Sequence, residues 1–251
     1  MPIARSLIGR LAPAVALLAG SLALAAPSGA GTPTDPDPMT GAPAAGTCYD
    51  IGIAEISQQS TDQATVDCST EHTTWVLGAV EAPSNLDVSS YSPELGAFAQ
   101  KSCRPLVAEA IGGQLARQLL SNYESFFLAP TQSQIDAGAH WISCELTMLE
   151  GTGLLRTGTA KLQPLTSPLK KSVARCLNGK LRPVPCSEKH AHKAVYAKVI
   201  GSPYTEKRLR KAAATYCPKH VGRRYSAYGY RFVAAMKSGT FGLACYRKQT
   251  N

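Results

Sequence analysis

The segment from Cys186 to Val199, CSEKHAHKAVYAKV, contains residue types that bind metals or carry out nucleophilic catalysis. Cysteine sulfur and histidine nitrogen are the ligands that zinc prefers in proteins. A serine close to a histidine supplies a hydroxyl nucleophile and a general base. Ser187, His190 and His192 therefore make this segment a candidate site for either chemistry.

The zinc interpretation lacks a ligand set. Zinc sites need three or four protein ligands, usually including two cysteines that are two to four residues apart, and the sequence has no such pair. An earlier segment of the same type, CSTEHTTWVLGAV, keeps His72 but has no second histidine. We therefore expect His72 and His190 to be structural residues at a strand edge, packed over a disulfide and hydrogen-bonded locally. Zinc held by His190, His192 and His220 is the alternative, and no cofactor is expected.

A catalytic site does not follow from any common pattern. The sequence has no G-x-S-x-G turn, and a thiol nucleophile would require an unpaired cysteine. Ser69 and His72 stand at the entrance of a predicted strand, where their side chains are not placed to meet. The C-terminal half has Glu188 and Glu206 as its only acids, which argues against paired glycosidase carboxylates. We expect a non-enzymatic protein with no catalytic residues.

The first thirty residues have the order of a secretory signal peptide. Arg5 and Arg10 make a basic start, Leu11–Ala26 is apolar, and small residues up to Ala30 offer cleavage sites. The apolar run is shorter than the roughly 20 residues that span a bilayer. We predict a signal peptide over 1–30 and a secreted, extracytoplasmic protein of the cell envelope. An uncleaved signal that tethers the chain to the membrane is the alternative, and no later segment is apolar enough to span.

The rest of the chain is divided by charge. Residues 31–169 carry 5 Lys or Arg and 15 Asp or Glu, a net charge of −10, whereas residues 170–251 carry 19 and 2, a net charge of +17. Segments rich in Pro and Gly separate these regions. The predicted organisation is a flexible tether over 31–46, an acidic domain over 47–150, a linker over 151–171 and a basic domain over 172–251.

The two predicted domains repeat one order of landmarks. Each contains four cysteines, a C-S-x-x-H motif, a β-rich run, a helix that reaches the third cysteine and an alternating strand that carries the fourth. This order predicts an internal duplication. Each copy is expected to be a small α+β module, with a short antiparallel sheet and one or two packed helices.

Local signals place the elements of each copy. Ser92 followed by Pro93 is a typical helix start, and Thr205 is the corresponding cap in the second copy. Residues that share one face at helical spacing follow: Leu95, Phe98, Ala99 and Ser102 in the first copy, and Leu209, Ala212, Ala213 and Tyr216 in the second. Each helix is expected to end at its cysteine, and the first copy has an extra amphipathic segment over 106–120. The runs Trp75–Val80 and Val195–Ile200 predict strands.

The duplication also predicts the disulfides. An even number of cysteines in an exported chain indicates a disulfide framework. In each copy the first and second cysteines flank one loop, and the third and fourth lie on a helix and a core strand. The predicted bonds are Cys48–Cys68, Cys103–Cys144, Cys176–Cys186 and Cys217–Cys245, each stabilising the fold by roughly 2–4 kcal/mol.

This cysteine and histidine framework resembles the septum-formation domain family, whose members are exported or membrane-tethered actinobacterial proteins. The matching residues are Cys48, Asp67, Cys68, Ser69, His72, Val76, Val80, Cys103, Pro130, Trp141 and Cys144 in the first copy, and Pro185, Cys186, Ser187, His190, Val195, Val199, Cys217 and Cys245 in the second. The second copy lacks counterparts of Pro130 and Trp141. The resemblance implies two tandem copies of the domain and a link to cell division, and no catalytic residues come with it.

The basic domain predicts a polyanionic partner. Its cationic candidates are Lys207, Arg208, Arg210 and Lys211 on the helix, and Arg223, Arg224 and Arg231 in a segment interleaved with Tyr225, Tyr228 and Tyr230. A field of this strength attracts anions, and outside the cell these are envelope polymers or lipid headgroups. Three alternatives remain: a wall-polymer enzyme or accessory factor, an extracellular nucleic-acid binder, and contact between the acidic and basic domains. For the nucleic-acid binder, export excludes a genomic role.

Overall fold

The computed structural model describes residues 36–158, 161–221, 228–237 and 240–249, with the backbone alone for 228–237 and 240. The predicted signal peptide over 1–30 and the first five residues of the predicted tether lie outside this part of the chain. Within it, the residues form ten strands and five helices.

These elements alternate along the chain. The strands are β1 (Cys48–Tyr49), β2 (Thr74–Glu81), β3 (Tyr123–Leu128), β4 (Trp141–Glu150), β5 (Gly153–Leu154), β6 (Arg175–Leu177), β7 (Pro183–Pro185), β8 (His192–Ile200), β9 (Tyr228–Lys237) and β10 (Thr240–Lys248). The helices are α1 (Ile53–Gln58), α2 (Pro93–Ile111), α3 (Leu115–Leu120), α4 (Gln132–Asp136) and α5 (Glu206–Val221).

Two antiparallel sheets contain all of these strands. The first has the order β1-β2-β4-β3, with β5 paired to the end of β4, and the second has the order β7-β6-β8-β10-β9. An isolated bridge between Cys48 and Val66 stands where β7 stands in the second sheet. The two sheets therefore share one strand order, and the predicted α+β class is confirmed.

Each sheet packs one helix through apolar residues at the predicted positions. Leu95, Ala99 and Cys103 of α2 are buried against Ile142 and Cys144 of β4. On the second sheet, a corresponding cluster joins α5 to β10: Leu209, Ala212, Ala213, Cys217, Val221, Phe241, Leu243 and Cys245. The hydrophobic effect therefore holds each helix to its sheet, and a disulfide runs through the centre of each contact.

The predicted helix starts are confirmed, but the predicted ends are wrong. The Leu95 amide donates to the Ser92 hydroxyl at 3.0 Å, and the Arg208 amide donates to the Thr205 hydroxyl at 3.2 Å. Both helices continue past their cysteines and through a proline, to Ile111 in α2 and Val221 in α5. In α2 the buried stripe extends as Cys103, Val107 and Ile111, so burial outweighs the hydrogen bond that the proline removes. The amphipathic segment predicted over 106–120 is therefore divided between α2 and α3.

All four predicted disulfides are confirmed. The bonds are Cys48–Cys68, Cys103–Cys144, Cys176–Cys186 and Cys217–Cys245, with Cα separations of 5.2, 5.3, 5.0 and 5.3 Å. These separations lie in the ordinary range for disulfides. Each sheet thus has one bond that closes the loop after its first strand and one that ties its helix to its central strand.

The two halves are joined by backbone hydrogen bonds. Asn122, just before β3, donates its amide to the Val173 carbonyl at 2.7 Å, and Ser121 forms a bridge with Ala174. Gly151 donates its amide to the Pro183 carbonyl at 2.8 Å. Residues 36–251 accordingly form one compact unit, in which the predicted linker over 151–171 buries Leu165 in the core of the first half.

The described part of the predicted tether is also attached to the first sheet. The Trp141 indole donates to the Thr40 carbonyl at 2.9 Å, and the His140 amide donates to the Pro38 carbonyl at 2.7 Å. Residues 36–46 are thus held against β4.

One buried arginine bridges the halves. Arg175 of β6 is only 6% exposed. Its guanidinium donates to the Ser121 carbonyl at 2.6 Å and the Tyr123 carbonyl at 3.3 Å, and forms an ion pair with Glu124 at 2.6 Å. Because a buried guanidinium is unfavourable unless its N–H groups are satisfied, these acceptors fix the position of β6 beside β3.

We predict that Arg175→Ala lowers the free energy of unfolding by about 3–5 kcal/mol, because the substitution removes the shared partner of three acceptors at a buried contact. Urea denaturation measures the loss. The matched control is Arg156→Ala, whose exposed side chain pairs with Asp50 and Glu71 and should cost about 0–1 kcal/mol. Equal losses in the two variants would contradict a bridging role for Arg175.

Candidate functional site

The two C-S-x-x-H motifs form the same local turn. In the first, Nδ1 of His72 donates to the Thr70 carbonyl at 2.8 Å, and in the second, Nδ1 of His190 donates to the Glu188 carbonyl at 2.7 Å. The predicted local hydrogen bonding of both histidines is therefore confirmed. This bond occupies the nitrogen nearest the backbone, so the turn leaves only Nε2 of either ring for other chemistry.

The two turns differ in their surroundings. His72 is fully buried with its ring edge-on to Trp75, and its Nε2 has no hydrogen-bond partner. His190 is partly exposed. The motif serines use their backbone: the Ser69 amide donates to the Asp67 carboxylate at 2.7 Å, and the Ser187 amide donates to the Lys171 carbonyl at 3.0 Å.

The histidines of the zinc alternative are engaged separately. The His220 ring stacks on Tyr196 with a centroid distance of 3.6 Å. Nδ1 of His192 is buried without a partner, and burial, with a further contribution from Lys248, lowers the pKa of its ring. Among the residues that the structure describes, no three His, Cys, Asp or Glu side chains are grouped closely enough to hold a metal ion.

The predicted cationic residues of α5 face solvent. Lys207, Arg208, Arg210 and Lys211 are all exposed, and Lys219 extends the same side of the helix toward its C-terminus. Arg210 pairs with Glu206 at 2.9 Å, in the i,i+4 arrangement predicted from the sequence. Within the described residues, this is the one ion pair made by α5. The remaining side chains form an uncompensated cationic surface, which we call the α5 cationic face.

A basic and aromatic cluster that the sequence analysis missed flanks this face. The Lys198 ammonium lies 4.3 Å from the centre of the Tyr216 ring, and Tyr216 in turn lies near Tyr196, which stacks on His220. A signal was present in the spacing: Tyr196 and Lys198 alternate along β8, and Tyr216 and His220 are four residues apart on α5. The cluster places another cation and an aromatic surface beside the helix.

The second predicted basic segment is only partly described. Arg223, Arg224 and Tyr225 lie outside the described residues. Arg231, with Tyr228 and Tyr230, lies in β9, where the backbone alone is described. Their assignment to polyanion binding stays a prediction.

Sequence alternation also missed a buried polar face on β4. Residues Ile142, Cys144, Leu146 and Met148 are buried as predicted, but so are the polar residues between them, Ser143, Glu145 and Thr147. The Glu145 carboxylate accepts from the Ser143 hydroxyl at 2.9 Å, while its Oε2 has no partner. Burial raises the pKa of Glu145 to about 8. The pKa of Tyr49 is raised to about 12, mainly by burial and to a smaller extent by the charge of the neighbouring Glu145.

Comparison with known proteins gives one match. The family model described as "Septum formation" matches residues 45–227 in a single copy. The match includes strands from both sheets, so the expectation of two tandem copies of the family domain is not confirmed. No curated protein and no solved structure matches the chain.

The buried Glu145 predicts a pH-dependent stability. In the folded state this carboxyl keeps its proton up to about pH 8, whereas the unfolded group loses it near its ordinary pKa of 4.5. The folded state therefore binds the extra proton in this window, and its stability should fall as the pH rises from about 4.5 to 8. Glu145→Gln should be more stable than the wild type at pH 7, by a few kcal/mol at most.

Urea denaturation at pH 5 and pH 8 measures this effect. The difference in unfolding free energy between Glu145→Gln and the wild type should be larger at pH 8. Glu81→Gln, which alters an exposed carboxyl on the same sheet, serves as the control. A difference that is the same at both pH values would show that Glu145 is ionised in the fold.

Proposed function

The chain belongs to the septum formation family. We propose that it is a non-enzymatic cell-envelope protein that binds anionic envelope polymer or lipid headgroups through α5. The description of the family relates the chain to cell division. The anionic ligand and the absence of catalysis are our proposals.

The α5 cationic face is the observation that carries the proposal. Lys207, Arg208 and Lys211 project into solvent with no carboxylate partner among the described residues. Residues 170–251 contain only two acids against 19 Lys and Arg, so little negative charge is available to neutralise them. Solubility alone needs far less net charge than +17 over a region of this size.

The chemistry of the face suits phosphate and carboxylate groups. Arginine donates in a planar fork that matches both anions, and lysine adds a flexible point charge. Arg208 is positioned by a hydrogen bond from its guanidinium to the Pro203 carbonyl at 3.1 Å. Each cation near a repeating anion or an anionic bilayer adds about 1 kcal/mol of attraction, and the total falls with salt.

The structure agrees with a location outside the cytoplasm. Four disulfides fit an oxidising compartment, and the family suggests the cell envelope. No helix among the described residues is long and apolar enough to cross a bilayer. Export by a cleaved signal peptide over residues 1–30 remains part of the proposal, as does an actinobacterial origin.

Extracellular nucleic acid is the second candidate ligand. The observation that favours it is the cluster around Lys198, because a cation beside stacked rings suits the bases and phosphates of a single strand. A wall-polymer enzyme is a third candidate without a supporting constellation among the described residues: His72 and His190 bond to local carbonyls, and the buried Glu145 has no basic partner there.

We predict that protein lacking residues 1–30 binds vesicles containing phosphatidylglycerol, an anionic wall-polymer fraction, or both. Cosedimentation and titration should show an affinity that falls steeply when the salt in the assay is raised from about 20 mM to about 150 mM. Salt screens the charges, with a screening length of about 8 Å at the higher concentration, and it reduces the gain from counterion release. The two probes distinguish a lipid headgroup from a polymer as the source of the anions, and a single-stranded oligonucleotide serves as the third arm.

Charge reversal tests the location of the site. Changing Lys207, Arg208, Arg210 and Lys211 to Glu should abolish most of the binding while circular dichroism stays unchanged, because all four side chains face water. The matched control reverses four exposed lysines elsewhere in the basic half, Lys170, Lys171, Lys180 and Lys189, with the same change in net charge. Equal losses in both variants would reduce the effect to net charge, and binding that is insensitive to salt would rule out the α5 cationic face.

A further inference from the structure

Strand β8 has an open edge along most of its length. Its pairing with β6 covers only His192 and Lys193, whereas its pairing with β10 continues to Ile200. Among the described residues, Val195–Ile200 therefore have a strand on one side alone. Because a strand directs its N–H and C=O groups alternately to its two sides, about half of these groups point away from β10.

The edge is open because β6 turns away from β8. Cys176 pairs with Lys193 of β8. Ala174, two residues earlier in the chain, forms its bridge with Ser121 of the first half instead of with β8. In the first sheet β1 likewise pairs only with Thr74 and Trp75 of β2, and the segment before it adds bonds at the next residue: the Gly46 amide donates to the Val76 carbonyl and the Val76 amide donates to the Thr47 carbonyl, each at 2.9 Å. In the second sheet the Ala174 amide donates to the Lys170 carbonyl instead, so among the described residues the counterpart of the Gly46 bond is missing.

A large cleft opens beside this edge of β8. Its volume is about 830 Å³, and it is bounded by α3, by residues 167–169 and by Ala194–Ala197 of β8. Small side chains line much of it, including Gly113, Ala116 and Ala174. A cleft of this volume that opens onto a strand edge has room for an extended chain.

The charged residues of the cleft are both cations. Arg117 lies on the α3 side, where its guanidinium donates to the Thr166 carbonyl, and Lys193 is exposed on β8. No acid is among the described residues that line the cleft. An occupant that carries acidic side chains would meet a cation at either wall.

We propose that this cleft binds an extended acidic peptide segment of a partner protein, which adds as a strand to the open edge of β8. Only another backbone has the alternating donors and acceptors that match a strand edge. Arg117 and Lys193 select for acidic side chains, and the small residues of the cleft walls leave room for apolar side chains between them.

This site contains none of the cations of the α5 cationic face, although Tyr196 in its lining also stacks on His220 of α5. α5 packs on the face of the second sheet that carries Leu243 and Cys245, whereas Leu120 of α3 packs beside Ala194 and Ala244 in a different cluster. Failure of one proposal therefore leaves the other intact. The reversal of the four α5 cations should remove binding to the anionic vesicles or polymer and leave peptide binding unchanged.

A phage-displayed library of random twelve-residue peptides, selected against protein lacking residues 1–30, provides the probe. The recovered peptides should be enriched in Asp or Glu alternating with β-branched residues. Ala116→Trp, which fills the cleft, should weaken the best synthetic peptide at least tenfold, and Ala214→Trp, on the exposed side of α5, should not change its affinity. Arg117→Glu combined with Lys193→Glu should weaken the same peptide about tenfold and favour basic peptides in a repeated selection.

Hydrogen exchange then tests the mode of binding. Amides within residues 195–200 should exchange more slowly when the peptide is bound. In an added strand, every second peptide amide faces β8, so N-methylation of that set should abolish binding and N-methylation of the other set should not. Peptides that bind Ala116→Trp as well as wild type, or protect other segments, would overturn the proposal. So would concentration-dependent dimerisation that already protects 195–200, or an acidic polysaccharide that binds the cleft while every selected peptide fails to bind.

Discussion

The guanidinium of Arg175 is the contact on which the arrangement of this protein depends. It reaches from the first strand of the second sheet to two carbonyls and one carboxylate of the first half. A buried cation is tolerated only when its donors are satisfied, so the pair of sheets cannot slide without breaking several bonds at once. Ser121, which supplies the first carbonyl, directly follows α3. The same contact therefore also places α3 beside the second sheet, where Leu120 packs against it.

That placement has a consequence for the edge of β8. Because Ala174 pairs with Ser121, it cannot continue along β8, and among the described residues Val195–Ile200 are left with no strand on that side. The contact that joins the halves thus also opens the cleft between them. On the opposite face of the same sheet, the Cys217–Cys245 bond holds α5 so that its cations project into solvent. One sheet in this way supports two surfaces that do not share residues.

Much of this arrangement follows from the sequence, and the exceptions have a common cause. The repeated landmarks predicted all four disulfides, and helical spacing predicted which residues of α5 face the core and which face water. Each of these patterns is local or repeated. The burial of Glu145 was missed because a polar residue alternating with apolar ones predicts a solvent-facing side, and only long-range packing covers that side of β4. Arg175 was missed for the same reason, since its acceptors lie more than fifty positions away in the chain. The helix ends were wrong because they were placed at the cysteines, whereas the buried stripe continues past them and through Pro105 in α2 and Pro218 in α5.

The two halves share one topology but differ in their polar residues. The same turn presents a fully buried histidine at position 72 and a partly exposed one at position 190. The first half carries a net charge of −10 and places polar side chains inside the fold, whereas the second carries +17 and places its cations outside. An anionic surface attracts the second half and repels the first, so the charge division would orient the chain as well as bind it. Because backbone hydrogen bonds and Arg175 join the halves, that orientation would apply to the whole described unit. In the proposed function, α5 then rests on the anionic surface, and the cleft beside β8, whose lining includes none of the α5 cations, stays open to a partner.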